Sequence, residues 1–316
     1  MKPRVVKQEM GVRMDKPLLS IILPVYNEES SIDEALDSLL EQTLEDFEII
    51  CVDDGSSDST RDVIAARVEA DSRVRLLEQE NSGPGPARNL AMKESRGMFV
   101  AFMDGDDYLP DNDVYKTLIE TADRFGVDAC CGHAILEVDE GLKCTDPLRH
   151  FISPQLMRYN DYQYDYGFTK YVFKTDLIRR NNITFPALRR FQDPPFLVRC
   201  LYLAQKFAYA AIPSYVHRAL YKPTSWPYVK ARDYLKGILD LTEFSRDHGL
   251  AKLHYTQLIH VEYNWYDTVM SWTRKDDTGE MVSILERINE AFDPNLIGAL
   301  KPVFSTPYTI RPLREL

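Results

Sequence analysis

Four short apolar runs divide the first two-fifths of the chain, each followed by polar turn residues and then by a segment of helical period. Leu18–Leu23 (LLSIIL), Phe47–Val52 (FEIICV), Val74–Leu77 and Met98–Met103 (MFVAFM) are brief and almost wholly apolar. That is the pattern of strands covered on both faces. In the first intervening segment Ile32, Leu36, Leu39 and Leu40 fall at helical spacing. Ser31 and Glu34 before them have the spacing of a capping box. Asp58–Val68 places Val63, Ile64 and Val68 inward, and Pro86–Glu94 opens a third helix. Strand and helix alternating in this way require right-handed crossovers and a parallel sheet. Asn112–Phe125 predicts an amphipathic helix through Val114, Leu118, Ile119 and Phe125, and Ala129–Leu136 a further strand. The expectation is an α/β fold, an open, mostly parallel, Rossmann-like sheet flanked by helices.

After residue 137 the pattern loosens. Tyr159–Tyr171 is dense in tyrosine (YNDYQYDYGFTKY). Lys174–Asn181 and Pro194–Ala204 read as short helices, and Phe207–Ile212 and Tyr215–Arg218 as two extended stretches. Beyond Pro227 three helices are expected, at Val229–His248, Leu253–Trp272 and Met281–Phe292.

With 316 residues the chain can build one large core with a smaller appended region. Its net charge of -11 argues against nucleic acid, whose binding rests on Lys and Arg neutralising phosphates. The five cysteines, Cys51, Cys130, Cys131, Cys144 and Cys200, show no metal-ligand spacing, and a reduced, cytoplasmic setting is the simplest expectation. Met1–Lys16 is polar and lacks the apolar centre of a signal peptide. No stretch approaches the roughly 20 apolar residues of a membrane span, so any membrane contact would be peripheral, at the inner face. Trp265, Tyr266 and Trp272 could supply an interfacial face for it, with core packing the competing account.

Ligands of open parallel sheets bind outside the carboxyl ends of the strands. This chain places Pro24-Val25-Tyr26-Asn27-Glu28 there after the first strand, and Asp53-Asp54-Gly55-Ser56-Ser57-Asp58 after the second. Asn81-Ser82-Gly83-Pro84-Gly85 follows the third and Asp104-Gly105-Asp106-Asp107 the fourth. Converging carboxylates repel unless a cation is bound, and oxygen ligands in an Asp-x-Asp spacing suit Mg2+ or Mn2+. A metal held by one or two carboxylates keeps positions open for phosphate oxygens. Turn chemistry and helix capping account equally well for Asp53 and Asp58. Asp107 could cap the turn before Pro110. Three carboxylates in four positions exceed what a turn needs. The dinucleotide fingerprint, the phosphate-binding loop and the Gly-x-Ser-x-Gly elbow are all missing from the sequence.

The segments SIILPVYNEE (20–29), SLLEQTLEDFEIICVDDGSSDST (38–60), NSGPGPARNLAM (81–92) and FVAFMDGDDYL (99–109) resemble, in order and spacing, the inverting glycosyltransferases of family 2, which have the GT-A fold. The resemblance implies a nucleotide-sugar-binding half at 17–136 and an acceptor and catalytic-base half at 137–226, after a tail at 1–16 and before a helical region at 227–316. It implies that Pro24, Tyr26 and Glu28 lie along the nucleoside, that Asp54 accepts from the uracil of a UDP donor, and that Asp104 reaches the ribose or donor sugar. Arg88 would approach the pyrophosphate; a surface helix arginine is the competing account. Asp106 would ligate the metal, and His217, in a Tyr-x-His-Arg…Ser225 stretch, would complete the metal or phosphate site.

Ile183-Thr184-Phe185 followed by Phe191-Gln192-Asp193 is similar to the family segment that supplies the base. Asp193 would take the proton of the acceptor hydroxyl. Pro194 suits the first turn of a helix, whose dipole is expected to keep Asp193 ionised. Gln192 stands where the family often has Glu. The implied reaction is metal-dependent transfer from a nucleotide-sugar, in the first instance a UDP-sugar, to a hydroxyl of a glycan or lipid-linked acceptor in cell-surface polysaccharide synthesis. The tyrosine-rich stretch and Trp226 could stack on sugar faces or merely pack. A homodimer is compatible with the C-terminal helices. One rival is a non-catalytic nucleotide-sugar or glycan-binding homologue. A sugar-phosphate nucleotidyltransferase would need a basic glycine-rich loop after the first strand, where Tyr26-Asn27-Glu28-Glu29 is acidic.

Overall fold

A computed structural model describes residues 16–218, 226–298 and 308–316. Fifteen residues of the expected tail, and Ser225, lie outside them. Nine strands form one sheet: β1 (Leu19–Val25), β2 (Phe47–Asp53), β3 (Val74–Glu78), β4 (Phe99–Phe102), β5 (Ala129–Val138), β6 (Gly141–Lys143), β7 (Gln155–Arg158), β8 (Tyr171–Lys174) and β9 (Lys206–Arg218). The strand order is β3-β2-β1-β4-β8-β5-β9-β7, with β6 paired to β5. The first four strands are parallel, as their all-apolar runs predict. β8 then enters antiparallel between β4 and β5. The sheet is therefore mostly parallel but interrupted. The sequence reading missed β6, β7 and β8, because strands of three or four residues are too short to show a period.

Helices α1 (Ile32–Leu40), α2 (Thr60–Ala70), α3 (Pro84–Glu94) and α4 (Val114–Phe125) are the expected crossovers. The one-turn α5 (Tyr159–Tyr162), α6 (Thr175–Arg180) and α7 (Asp193–Ala204) follow. The C-terminal region holds α8 (Tyr228–Asp247), α9 (Ala251–Glu262), α10 (Tyr266–Thr273), α11 (Glu280–Ala291) and α12 (Arg311–Arg314). Three expectations are corrected. Ser31 makes no side-chain bond to the helix N–H groups and instead donates to Glu28 Oε2 (3.1 Å), so there is no capping box. The single helix expected over Leu253–Trp272 breaks at Trp265, whose φ is +58°. The two extended stretches at 207–218 are one strand, bent by a bulge where Ala211 has φ +59°.

The alternation of strand side chains divides the core. Leu19, Ile21, Leu23 and Val25 of β1 pack under α1 and α4, against Leu36, Leu39, Leu118 and Ile119. Ile22, Val100 and Phe102 face the other way, onto Ala87 and Ala91 of α3 and onto Phe173, Phe185 and Phe196. That second cluster continues into Leu235, Ile238, Leu253 and Ile284, so the C-terminal helices share a core with the sheet. At the amino ends of the strands the buried carboxylate of Glu48 binds Ser20 Oγ (2.7 Å), Arg75 (2.9 Å) and both the backbone N–H and guanidinium of Arg96 (2.8 Å each). The lower edge is thus pinned, and the carboxyl ends carry the cleft.

Candidate active site

The cleft, about 360 Å³, opens where the turns after β1, β2 and β4 meet the N-terminus of α7 and the first turns of α8. One wall is made of Pro24, Tyr26, Glu28, Asp54, Asp104 and Asp106. Arg88, Asp193, Gln192, Arg190 and Lys230 complete it. Of the residues to which the resemblance gives a donor, metal or catalytic role, His217 alone stands outside this lining.

The turns are held by polar side chains, both within a turn and between neighbouring turns. Asn27, at φ +57°, accepts at Oδ1 from the Ser57 N–H (2.8 Å). Asp53 accepts from the Ser56 N–H (3.2 Å). Asp58 accepts from the N–H and hydroxyl of Thr60 (3.0 and 2.6 Å). The turn-and-cap account therefore holds for Asp53 and Asp58. Asp54 is buried, and its carboxylate accepts from Gln79 Nε2 (2.7 Å) and from the N–H groups of Ser82 and Gly83 (2.8 Å each). It fixes the loop that starts α3, with Gly83 in the left-handed region at φ +95°.

The turn after β4 is docked onto β9. Buried Asp107 accepts from the Tyr215 hydroxyl (2.8 Å), from the Arg218 N–H (2.9 Å) and lies 3.0 Å from His217 Nδ1. The Tyr215 hydroxyl in turn accepts from the Asp104 N–H (3.0 Å). Asp107 is therefore not a cap before Pro110. It aligns the turn that presents Asp104 and Asp106. The sequence reading missed Tyr215 in this role, because the pairing spans more than a hundred residues. For His217, burial favours the neutral ring, but the Asp107 bond and the charges of Asp107, Asp104 and Asp106 outweigh it and raise the pKa.

Arg88 is the hinge of the site. It is buried in α3, with its guanidinium 2.5 Å from Asp104 Oδ1, 2.8 Å from Asp193 Oδ1, and over the rings of Phe168 and Phe185 (4.7 and 5.2 Å). The surface-arginine account is excluded. Asp193 opens α7 as expected, but its carboxyl is pushed up, not down. Burial is the largest cause, followed by the opposing charge of Arg88; Asp104 adds to the rise, while Arg190 and the Gln192 bond work against it. The helix dipole does not win because the half-buried side chain lies in the cleft beside another carboxylate. Gln192 Nε2 donates to Asp193 Oδ1 (3.1 Å), which a glutamate could not do, and its buried Oε1 has no protein partner.

Arg190 and Lys230 were not singled out in the sequence, since lone basic residues on an exposed segment carry no spacing signal. The tyrosine run divides: Tyr159, Tyr162 and Tyr171 are core, whereas Tyr164 and Tyr166 are exposed. Trp226 is buried, stacked on Trp265 at 4.0 Å, with the Arg190 guanidinium 4.9 Å from its ring centre. Tyr266 is buried and the Trp272 indole donates to the Trp226 carbonyl (2.7 Å), so the three aromatics do not form one interfacial face. Among the described residues no helix is long and apolar enough to cross a membrane.

The model of glycosyl transferase family 2 matches residues 20–192, more than half of the chain. The chain belongs to glycosyltransferase family 2. It is 32% identical over 211 residues to the glycosyltransferase EpsJ of Bacillus subtilis, covering 64% of this chain and 61% of EpsJ. It is 32% identical over 208 residues to the poly(ribitol-phosphate) beta-glucosyltransferase of Bacillus spizizenii, covering 63% of this chain and 32% of that protein. The chain thus spans about three-fifths of the one relative and a third of the other. Residues 1–349 of S. aureus TarS in complex with UDP-GlcNAc superpose with a TM-score of 0.64, at 21% identity over 88% of this chain and 82% of that one. The Pyrobaculum calidifontis mannosyltransferase PcManGT, in complex with GDP-Man and Mn2+, gives 0.59 at 18% identity over 90% and 79%. Both likenesses are of fold, which is GT-A.

A divalent metal is tested by the donor set. Among the described residues no three His, Cys, Asp or Glu side chains form a cage of their own. Asp106 on the cleft wall and His217, oriented through Nδ1 by Asp107, offer instead a carboxylate oxygen and an imidazole nitrogen. A carboxylate behind a ligating histidine is the usual outer support of a metal site. Two such ligands with diphosphate oxygens suit Mg2+ or Mn2+.

Proposed function

We propose that this chain transfers a sugar from a UDP-sugar to a hydroxyl of a glycan or lipid-linked acceptor, with inversion, in the synthesis of a surface polysaccharide. One observation carries the reading. Arg88 ties Asp104, on the donor wall, to Asp193, on the α7 wall, so one buried guanidinium sets the donor-side turn and the base at a fixed separation across one cleft. The glucosyltransferase relative and the UDP-GlcNAc complex of TarS support the polymer acceptor and the uridine donor.

Pro24, Tyr26 and Glu28 border the nucleoside, and Asp54, with three of its lone-pair positions used, keeps one for a donor such as the uracil N–H. Asp104 faces the ribose or donor sugar. Asp193 accepts the acceptor's hydroxyl proton; the acceptor oxygen bonds to the anomeric carbon as the carbon–phosphate-oxygen bond breaks, its electron pair leaving with UDP. The raised pKa of Asp193 brings the base closer to neutrality, where proton acceptance is more effective. Held by Asp106 and His217, a bound Mn2+ or Mg2+ would supply counter-charge to the departing diphosphate. Gln192 and Arg190 line the cleft beside Asp193 and would border the acceptor.

The test is a screen of UDP-sugars with Mn2+, reading UDP release in the presence of undecorated polyol-phosphate and lipid-linked glycan acceptors. Release that needs both an acceptor and Asp193 supports the reading. Donor binding without release under every acceptor returns the chain to a binding homologue.

A further inference from the structure

Phe191 stands two residues before Asp193 with φ +67°, a backbone conformation that a bulky side chain adopts only when its surroundings impose it. Those surroundings come from α8, which starts after the last residue matched by the family model. Lys230, Asp233, Gly237 and Asp240 fall three, four and three residues apart, and so share one stripe of that helix. Each meets the segment that bears Asp193. Lys230 lines the cleft beside it. Buried Asp233 accepts from the Arg189 N–H (2.9 Å). Asp240 takes Arg199 of α7 in a two-pronged pair (2.9 and 2.8 Å).

Gly237 carries the most information. A glycine in the middle of a long helix is unfavourable, so its retention points to a need for space. A Cβ there would lie 2.6 Å from Phe191 Cδ1 and 3.0 Å from the Phe191 carbonyl oxygen. The Phe191 ring is met edge-on by Tyr234 of α8 (5.2 Å) and His260 of α9 (5.3 Å). On the other side Arg189 reaches the loop before α3, binding Asn81 Oδ1 (2.7 Å) and the Asn81 carbonyl (3.1 Å). The strained segment is thus clamped between the C-terminal helices and the donor wall.

We infer that α8 is the positioning element of the base: its stripe from Lys230 to Asp240, bare at Gly237, holds Phe191 left-handed and thereby aims Asp193 across the cleft at Arg88. This rests on the reading of Asp193 as the base. The C-terminal helices then complete the active site rather than decorate it.

The test compares Gly237→Ala and Phe191→Gly with the full-length protein, by calorimetric affinity for UDP with Mn2+, UDP release from UDP-sugars, and titration of the Asp193 carboxyl by 13C NMR. The Asp193 signal is assigned by its loss in Asp193→Asn. Gly237→Ala pushes Phe191 and is expected to displace the Asp193 titration and to slow turnover by roughly 10- to 100-fold, as misplacement of a reacting group does, with UDP affinity unchanged. Phe191→Gly accepts the left-handed backbone and guards against simple misfolding. It is expected to move the same two readouts, and in the double variant to recover part of the loss. Wild-type titration and turnover in both variants overturn the inference, as does a loss that only follows UDP affinity or the folded fraction. Full turnover in Asp193→Asn would instead overturn the base reading, while a displaced titration in Gly237→Ala would still stand for the positioning role.

Discussion

The two walls of the cleft are built by different means. The donor wall rests partly on bonds from a distance, Asp54 to Ser82 and Gly83 and Asp107 to Tyr215 and His217, and partly on turns closed by their own side chains, Asp53 on Ser56 and Asp58 on Thr60. Such local closure leaves a dense signature in the sequence. The opposite wall is assembled from a distance, with Asp193 set by Arg88 of α3 and Phe191 by Gly237 of α8. The first wall carries closures that neighbours in the chain specify, whereas the second depends on what the fold brings together. Damage to the first should show in donor binding, and damage to the second in turnover.

The sharpest break between them is Asp193→Asn. It keeps the shape, and it is expected to lower the rate of sugar transfer by about a thousandfold, the scale of a lost general base, with UDP affinity held within twofold. Equal losses in both would erase the distinction between the walls.

Next in size is a test of whether the C-terminal helices share the fate of the sheet. His254 is fully buried, 2.8 Å from Ser245 Oγ, and accepts at Nε2 from the Asp293 N–H (2.9 Å). Burial pushes its pKa down to about 4 from 6.5. The folded state therefore binds the proton later than the unfolded chain does. Its contribution is complete above pH 6.5 and is lost as the pH falls toward 4, by about 3 kcal/mol in all. Urea denaturation at a series of pH values checks this. The slope in that window should be shallower in His254→Gln, and loss of helical and sheet signals should coincide.

Arg88→Ala leaves Asp104 and Asp193 facing one another. Because each carboxylate keeps about a third of its surface exposed (35%), the expected cost is about 2 kcal/mol, below that of a fully buried pair. Arg88→Lys should recover only part, having a point charge where two carboxylates are spanned. The smallest effect belongs to Tyr164→Ala on the exposed part of the tyrosine run, within about 0.5 kcal/mol in stability. A large change in acceptor KM there would make that surface part of the acceptor wall.

The same division decides what the sequence discloses. The first four strands and their crossovers are legible because their runs are almost wholly apolar and alternate with segments of helical period, and Asp54, Asp104 and Asp106 are legible because they cluster after strand ends. β8 enters antiparallel in the middle of the sheet, yet its four residues give no periodic cue. The single strand β9 reads as two because the bulge at Ala211 shifts the alternation. Arg88 was placed by motif, but its pairing with Asp193, 105 residues on, follows from no spacing. Nor does the reversal of the Asp193 pKa, because its largest cause, desolvation, is a property of the assembled cleft, while the parts written locally, the helix N-terminus, Arg190 and Gln192, all act the other way.

The central claim is that the aspartates of the donor wall hold a metal-bound nucleoside diphosphate. Calorimetry of UDP binding, with and without Mn2+, on the wild type and on Asp106→Ala tests it most directly. Tight binding that requires Mn2+, weakened roughly 100-fold in Asp106→Ala as expected for removal of a metal-mediated charge contact, is the predicted result. Binding that ignores both the metal and the substitution, in folded protein, would contradict it.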